Sequence, residues 1–255
     1  MDAKAVPDWF RLADQCTSET MQRIAGSIQE LSLPLQVKFL PMQAHWFILD
    51  SLLLANQANR DGMHANALAL TRQCLEAMSI VELGLTPHGG AADVLLRWEQ
   101  DKITPGALRG WLETNAWPAY GSGLWAEPWS DFMRQLAGAI QPYAHYTSRL
   151  AQWQAHFMGR RDPVEPNTML VRFAPRAYDP QKATRITLFH AILTYTLARI
   201  WIASRDRSDD EFVALVNRLG KALGRSKYLD GHQTDWEQQF WAMVWSMESG
   251  STILE

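Results

Sequence analysis

"ALALTRQCLEAMSIVELGL", residues 67–85, runs without glycine or proline as far as Gly84 and reads as a strong helix. At 100° per residue, Met63, Ala67, Leu70, Cys74, Met78 and Val81 share one apolar face. The far side also carries Ala65, Ala69, Ile80 and Leu83, so the helix is expected to be packed on both sides and central to the fold. Arg72 and Glu76 lie off the first face and, four residues apart, can bridge along the helix. An exposed pair of this kind stabilises by a few tenths of a kcal/mol, whereas removing one partner of a buried pair strands a desolvated charge at roughly 3–5 kcal/mol. Arg72 and Glu76 therefore read either as a structural tie or as a binding pair in which Arg72 grips an anion in a cleft.

Working outward, helix-start signals recur. Pro7, Pro41, Pro105, Pro128 and Pro180 each suit a first helical turn, with Thr104 and Asp179 as caps. Ser208 with Glu211 and Thr234 with Glu237 read as capping boxes. The predicted helices cover 7–31 (with a break near Thr17), 42–58, 62–84, 90–101, 105–115, 128–154, 180–206, 209–224 and 234–247. The expected fold is an all-α multi-helix bundle, one domain over residues 1–255 with 179–255 as a C-terminal subbundle. Two stretches interrupt it, 117–128 and the longer "GRRDPVEPNTMLVRFAPRAYDP" at 159–180, a candidate functional loop. Inside the second, "TMLVRF" (168–173) alternates and suits a short strand or extended segment.

A 255-residue chain that is 47% hydrophobic and 20% charged can bury a sizeable core and is expected to fold throughout. A net charge near −3 supplies no global basic field for nucleic acid, so any RNA contact would need a local patch. Cys16 and Cys74 have neither disulfide-framework nor zinc spacing, which fits a reducing cytoplasm. "MDAKAVPDWF" carries no apolar run behind its lysine, so no secretory signal is expected. The apolar run from Ile186 to Ala203 contains His190 and Arg199 and reads as a buried core helix rather than a membrane span. Twelve tryptophans spread along the whole chain point to helix-interface filler. The alternative is a small-molecule pocket lined by Trp236, Trp241 and Trp245.

Several chemistries lack their residues. There is no HExxH or ExxH, no glycine-rich phosphate loop with its lysine and no Gly-x-Ser-x-Gly. "SDDEF" (208–212) is explained as a helix start whose acids meet the helix dipole, so no metal site and no cofactor is expected. Asp50, among apolar neighbours in "HWFILDSLLLA", is expected to find a basic partner, with Arg72, His64 and His145 as candidates. His145, a candidate binding residue, is placed in a long helix after Pro142, with Arg149 one turn on. Around the irregular segment, Arg160, Arg161, Arg172, Arg176, Lys182 and Arg185 outnumber the acids, and Arg172 and Arg176 are candidate anion or RNA contacts.

The helix "LALTRQCLEAM", followed by "YAHYTSRL" and a long apolar helix, resembles bacterial HEPN-like helical proteins, including members near phage-defence genes. That resemblance implies a setting in bacterial defence or stress. The ribonucleases of the family carry an Arg-x4–6-His motif in which Arg holds the scissile phosphate and His transfers protons without a metal. The matching positions are Arg185 and His190, as a homodimer facing two motifs across a groove. Ile186 stands where the family has a polar residue, and five residues along a regular helix turn about 140°, so a shared site needs a helix start or distortion near Arg185. The expected function is a binding or regulatory module with a protein or RNA partner; the metal-independent ribonuclease is the alternative.

Overall fold

Helix α3 (His64–Leu85) is buried along most of its length, on more than one side, as its two apolar faces require. In the computed structural model the described residues are 7–160, 169–173, 176–205 and 208–226, with backbone alone for 156–160 and 169–173. Ahead of α3 come α1 (Asp8–Gln29) and α2 (Leu40–Arg60); after it come α4 (Ala91–Glu99), α5 (Pro105–Asn115), α6 (Trp129–Ile140), α7 (Ser148–Gln152), α8 (Pro180–Ala203) and α9 (Asp210–Gly224). The fold is an all-α bundle with one two-stranded ribbon.

Helix α3 packs along α2 on one side and α8 on another, while α4 and α5 also meet it. Helix α8 packs in turn on α1 and α9. By length and composition α8 could cross a membrane, yet most of it is buried inside the bundle, as a core helix is. Close approach between α2 and α3 depends on Gly84, where a Cβ would stand 2.4 Å from the Pro41 ring. The turn joining these helices uses Gly62 at φ +74, against the backbone of Ala177 and Tyr178.

Caps appear where short polar residues precede helices. Thr104 Oγ1 accepts from the Ala107 amide at 3.2 Å, and Asp179 Oδ1 accepts from Gln181 and Lys182 at 2.9 and 3.1 Å. At α9 the cap is Asp209, accepting from Phe212, rather than Ser208; the acidic run begins the helix one residue later than expected. Thr17 does not break α1, because its hydroxyl donates to the Ala13 carbonyl and meets Thr194 of α8 at 2.9 Å. The expected helix 234–247 lies outside the described residues.

The expected helix 128–154 is three pieces: α6, a 3-10 turn at Gln141–Tyr143, and α7. Pro142 has no amide to donate and disfavours helical geometry before it, and Thr147 caps a new start by accepting from Leu150. The alternating segment at 169–173 is a strand. β2 (Met169–Phe173) pairs antiparallel with β1 (Ala155–Arg160), with an irregularity between Phe157 and Gly159. Buried Lys182 fastens this ribbon to α8, donating to the Trp153 carbonyl at 2.9 Å and to that of Ala155.

Candidate functional site

Arg72 is buried, and its Nη2 donates to Glu76 Oε1 at 2.8 Å and to Gln141 Oε1 at 2.7 Å. Its Nε and Nη1 are also buried and have no acceptor. The ion pair expected from the i,i+4 spacing exists, but it is lopsided: the Glu76 side chain is 45% exposed. Arg109 of α5 completes the cluster. It is half-buried, forms no ion pair among the described residues, and its Nη1 lacks an acceptor. Burial holds the Arg109 pKa below its ordinary value, the Arg72 charge lowers it further, and Glu76 pulls the other way.

These residues adjoin a groove of about 530 Å³ between α2, α3, α4 and α5. Leu40, Phe47, Ile80, Trp98 and Leu108 supply apolar wall; Gln43, Gln73, Glu76 and Arg109 supply the polar part. Arg72 lies behind the wall and occupies Glu76. The consequence is chemical: Arg72 and Arg109 share one carboxylate, Glu76, which is hydrogen-bonded to Arg72, so the groove wall carries an excess positive charge at Arg109. An excess charge in such surroundings favours an anion brought from outside. The groove wall contains neither histidine nor cysteine, and Glu76 is its one carboxylate.

Other expected partnerships fall differently. Asp50 is exposed on α2, while two of its expected partners are engaged elsewhere, Arg72 with Glu76 and Gln141 and His64 with Asn59 and Asp179. Ile48 and Leu52 face the core, but Trp46, Phe47, Leu53 and Leu54 share the exposed face with Asp50, so the chain never buries it. His145 is exposed in the connection before α7, not inside a helix. The buried polar groups are others. His64 Nε2 accepts from the Asp179 amide at 3.0 Å, so its Nδ1–H donates to Asn59 Oδ1 at 2.8 Å. Glu82, on the last turns of α3, accepts from the Trp117 indole at 2.8 Å. Burial pushes its carboxyl up to about 8 against the downward pull of Tyr120 and Trp117, so it is largely neutral at pH 7.

Arg185 and His190 sit on one continuous helix, α8, about 140° apart around its axis. Both are buried, and no helix start or distortion brings them to one face. His190 Nε2 meets the Thr71 hydroxyl at 2.8 Å and Nδ1 meets the Asn56 amide at 3.0 Å, while burial holds its pKa down to about 4. Of the basic residues around the irregular segment, Lys182 and Arg185 are internal and Arg176 is exposed. Arg172 has its backbone in β2 opposite His156. Arg160 ends β1, and Arg161 lies outside the described residues, as do Trp236, Trp241 and Trp245. Trp9, Trp129 and Trp153 are core, as aromatic filler should be.

No protein-family model, curated protein or solved structure matches the chain.

Proposed function

We propose that this chain is a cytoplasmic binding or regulatory module whose α2–α5 groove takes a small monoanion with an apolar body, such as a medium-chain or aromatic carboxylate. The observation that carries the reading is Arg109, half-buried in an apolar wall with an Nη1 that has no acceptor, beside a single carboxylate, Glu76, that is hydrogen-bonded to Arg72. A carboxylate meets a guanidinium through paired, charge-assisted hydrogen bonds, and the volume lies within the usual range for small-molecule sites. The bacterial defence or stress setting implied by the HEPN-like resemblance is compatible with a ligand-sensing role. The ribonuclease alternative requires Arg185 and His190 to hold one phosphate, and their separation around α8 gives it no support.

Calorimetric titration of the full chain with dodecanoate and with dodecylamine tests the proposal. Dodecanoate is expected to bind and the amine not, and Arg109→Gln is expected to weaken dodecanoate by about ten- to hundredfold. Equal binding of both probes, or of neither, sinks the proposal.

A further inference from the structure

The outward face of α2 is unusually apolar. Trp46 is 58% exposed, Leu53 67% and Leu54 60%, with Phe47 beside them and Phe39 and Leu35 extending the patch at its N-terminal end. Taking about 150–250 Å² for each large side chain, these six expose roughly 700 Å². That exceeds the ordinary largest patch on a monomer and approaches the roughly 800 Å² per partner of a standard interface.

The pattern identifies the occupant. The exposed positions Gln43, Trp46, Asp50, Leu53 and Gln57 follow alternating steps of three and four, the spacing of a helix seam. They are also symmetric about Asp50: Phe47 and Leu53 lie three residues either side of it, Trp46 and Leu54 four, Gln43 and Gln57 seven. Two such helices laid antiparallel and centred on Asp50 set each aromatic against a leucine and each glutamine against a glutamine. Parallel pairing would instead set Trp46 on its own copy, large against large. A surface that complements itself under a two-fold axis is what an isologous dimer requires.

We propose that the exposed face of α2 packs against the same face of a second copy of this chain, antiparallel and centred on Asp50. The two Asp50 carboxylates then meet at the axis. A polar residue at one seam position fixes register at some expense of affinity, and this one explains an acid set among exposed apolar side chains.

Sedimentation equilibrium of the full chain is expected to show a dimer, and Trp46→Glu with Leu53→Glu a monomer at least a hundredfold weaker in association. Trp46 and Leu53 do not line the groove, whereas Gln43 and Phe47 belong to both groove and seam, so assembly is read by sedimentation without dodecanoate. Asp50→Asn is expected to tighten the dimer by about tenfold through removal of like charges. For register, Gln43→Cys mixed with Gln57→Cys is expected to form the mixed disulfide in preference to either self-disulfide. Cys16 and Cys74 are buried, with thiols pushed up to about 11 and about 12, and do not compete. A monomeric wild-type chain, a dimer that survives the double substitution, or preferential self-disulfides at position 43 overturns the proposal.

Discussion

At the junction of α1, α8 and α9, Arg23 bridges Glu19 and Asp209 and lies over the rings of Phe212 and Trp201; across the bundle, Arg72 and Arg109 have one half-exposed carboxylate between them. The Arg23 ring contacts, at 4.4 and 5.8 Å from the centroids, place the flat cation on aromatic surface, so its charge is matched on every side. Asp209 is correspondingly held below the usual carboxylate range by the Phe212 amide and then by Arg23. The same side chain thus closes one interface and leaves another chemically unfinished. An arginine whose donors are all used is structural; one with idle donors beside a cavity is available to a ligand.

The largest expected effect belongs to the other carboxylate of α3, Glu82, which unlike Glu76 is fully buried. Glu82 is buried against Trp117 and Tyr120, away from the groove wall. Its pKa is raised from its ordinary 4.5 to about 8, so the sign is definite. Below pH 4.5 the carboxyl is protonated folded or unfolded and costs nothing. As pH rises toward 8 the unfolded chain releases a proton that the folded chain retains, and stability falls by about 1.4 kcal/mol per pH unit. Urea unfolding of Glu82→Gln is expected to match wild type at pH 4.5 and to exceed it by a few kcal/mol at pH 8. Parallel stability curves for the two proteins would mean that Glu82 titrates alike in the folded and unfolded chain.

A smaller effect is expected at the junction. Arg23→Ala removes two partly exposed ion pairs and the ring contacts, about 2 kcal/mol together, which lowers the melting temperature by about 4–8 °C in a chain of this size. Dodecanoate binding is expected to be unchanged, since Arg23 lies outside the groove. A melting temperature unaffected by the substitution would erase the distinction between the two arginine sites.

How much of this was legible in the sequence depended on whether a local pattern stood in for a distant contact. Helix α3 carries apolar residues on two sides, and that alone placed it centrally. The Arg72–Glu76 spacing likewise announced its own bridge. Arg109 had no such signal: it sits in an ordinary amphipathic helix, and only the packing of α5 against α3 sets it beside Arg72. Asp50 differs from its expected burial for a physical reason. Apolar neighbours implied burial, but Trp46, Phe47, Leu53 and Leu54 share its exposed face, so the neighbourhood marked a surface. Glu82 carries no sequence signal of burial, because an acid late in a helix normally points to water. The break at Pro142 was written in the sequence and was outweighed by the apolar periodicity around it.

The smallest expected change in stability belongs to Arg72, where the contrast is sharpest. Arg72→Met keeps most of the buried volume while removing a desolvated charge and its two idle donors; Glu76, 45% exposed, returns to water or turns to Arg109. The net change in unfolding free energy is therefore expected to stay within about 1 kcal/mol, because the partner left behind is half-exposed and not a buried, uncompensated charge. Ligand affinity, by contrast, is expected to fall by about tenfold, because a released Glu76 competes with dodecanoate for Arg109. Adding Glu76→Gln to Arg72→Met removes the competitor and is expected to restore most of the binding. If Arg72→Met instead destabilises by about 3–5 kcal/mol and the second substitution restores no binding, the pair is a structural tie of the Arg23 kind. Arg109 would then owe its lack of a partner to packing alone.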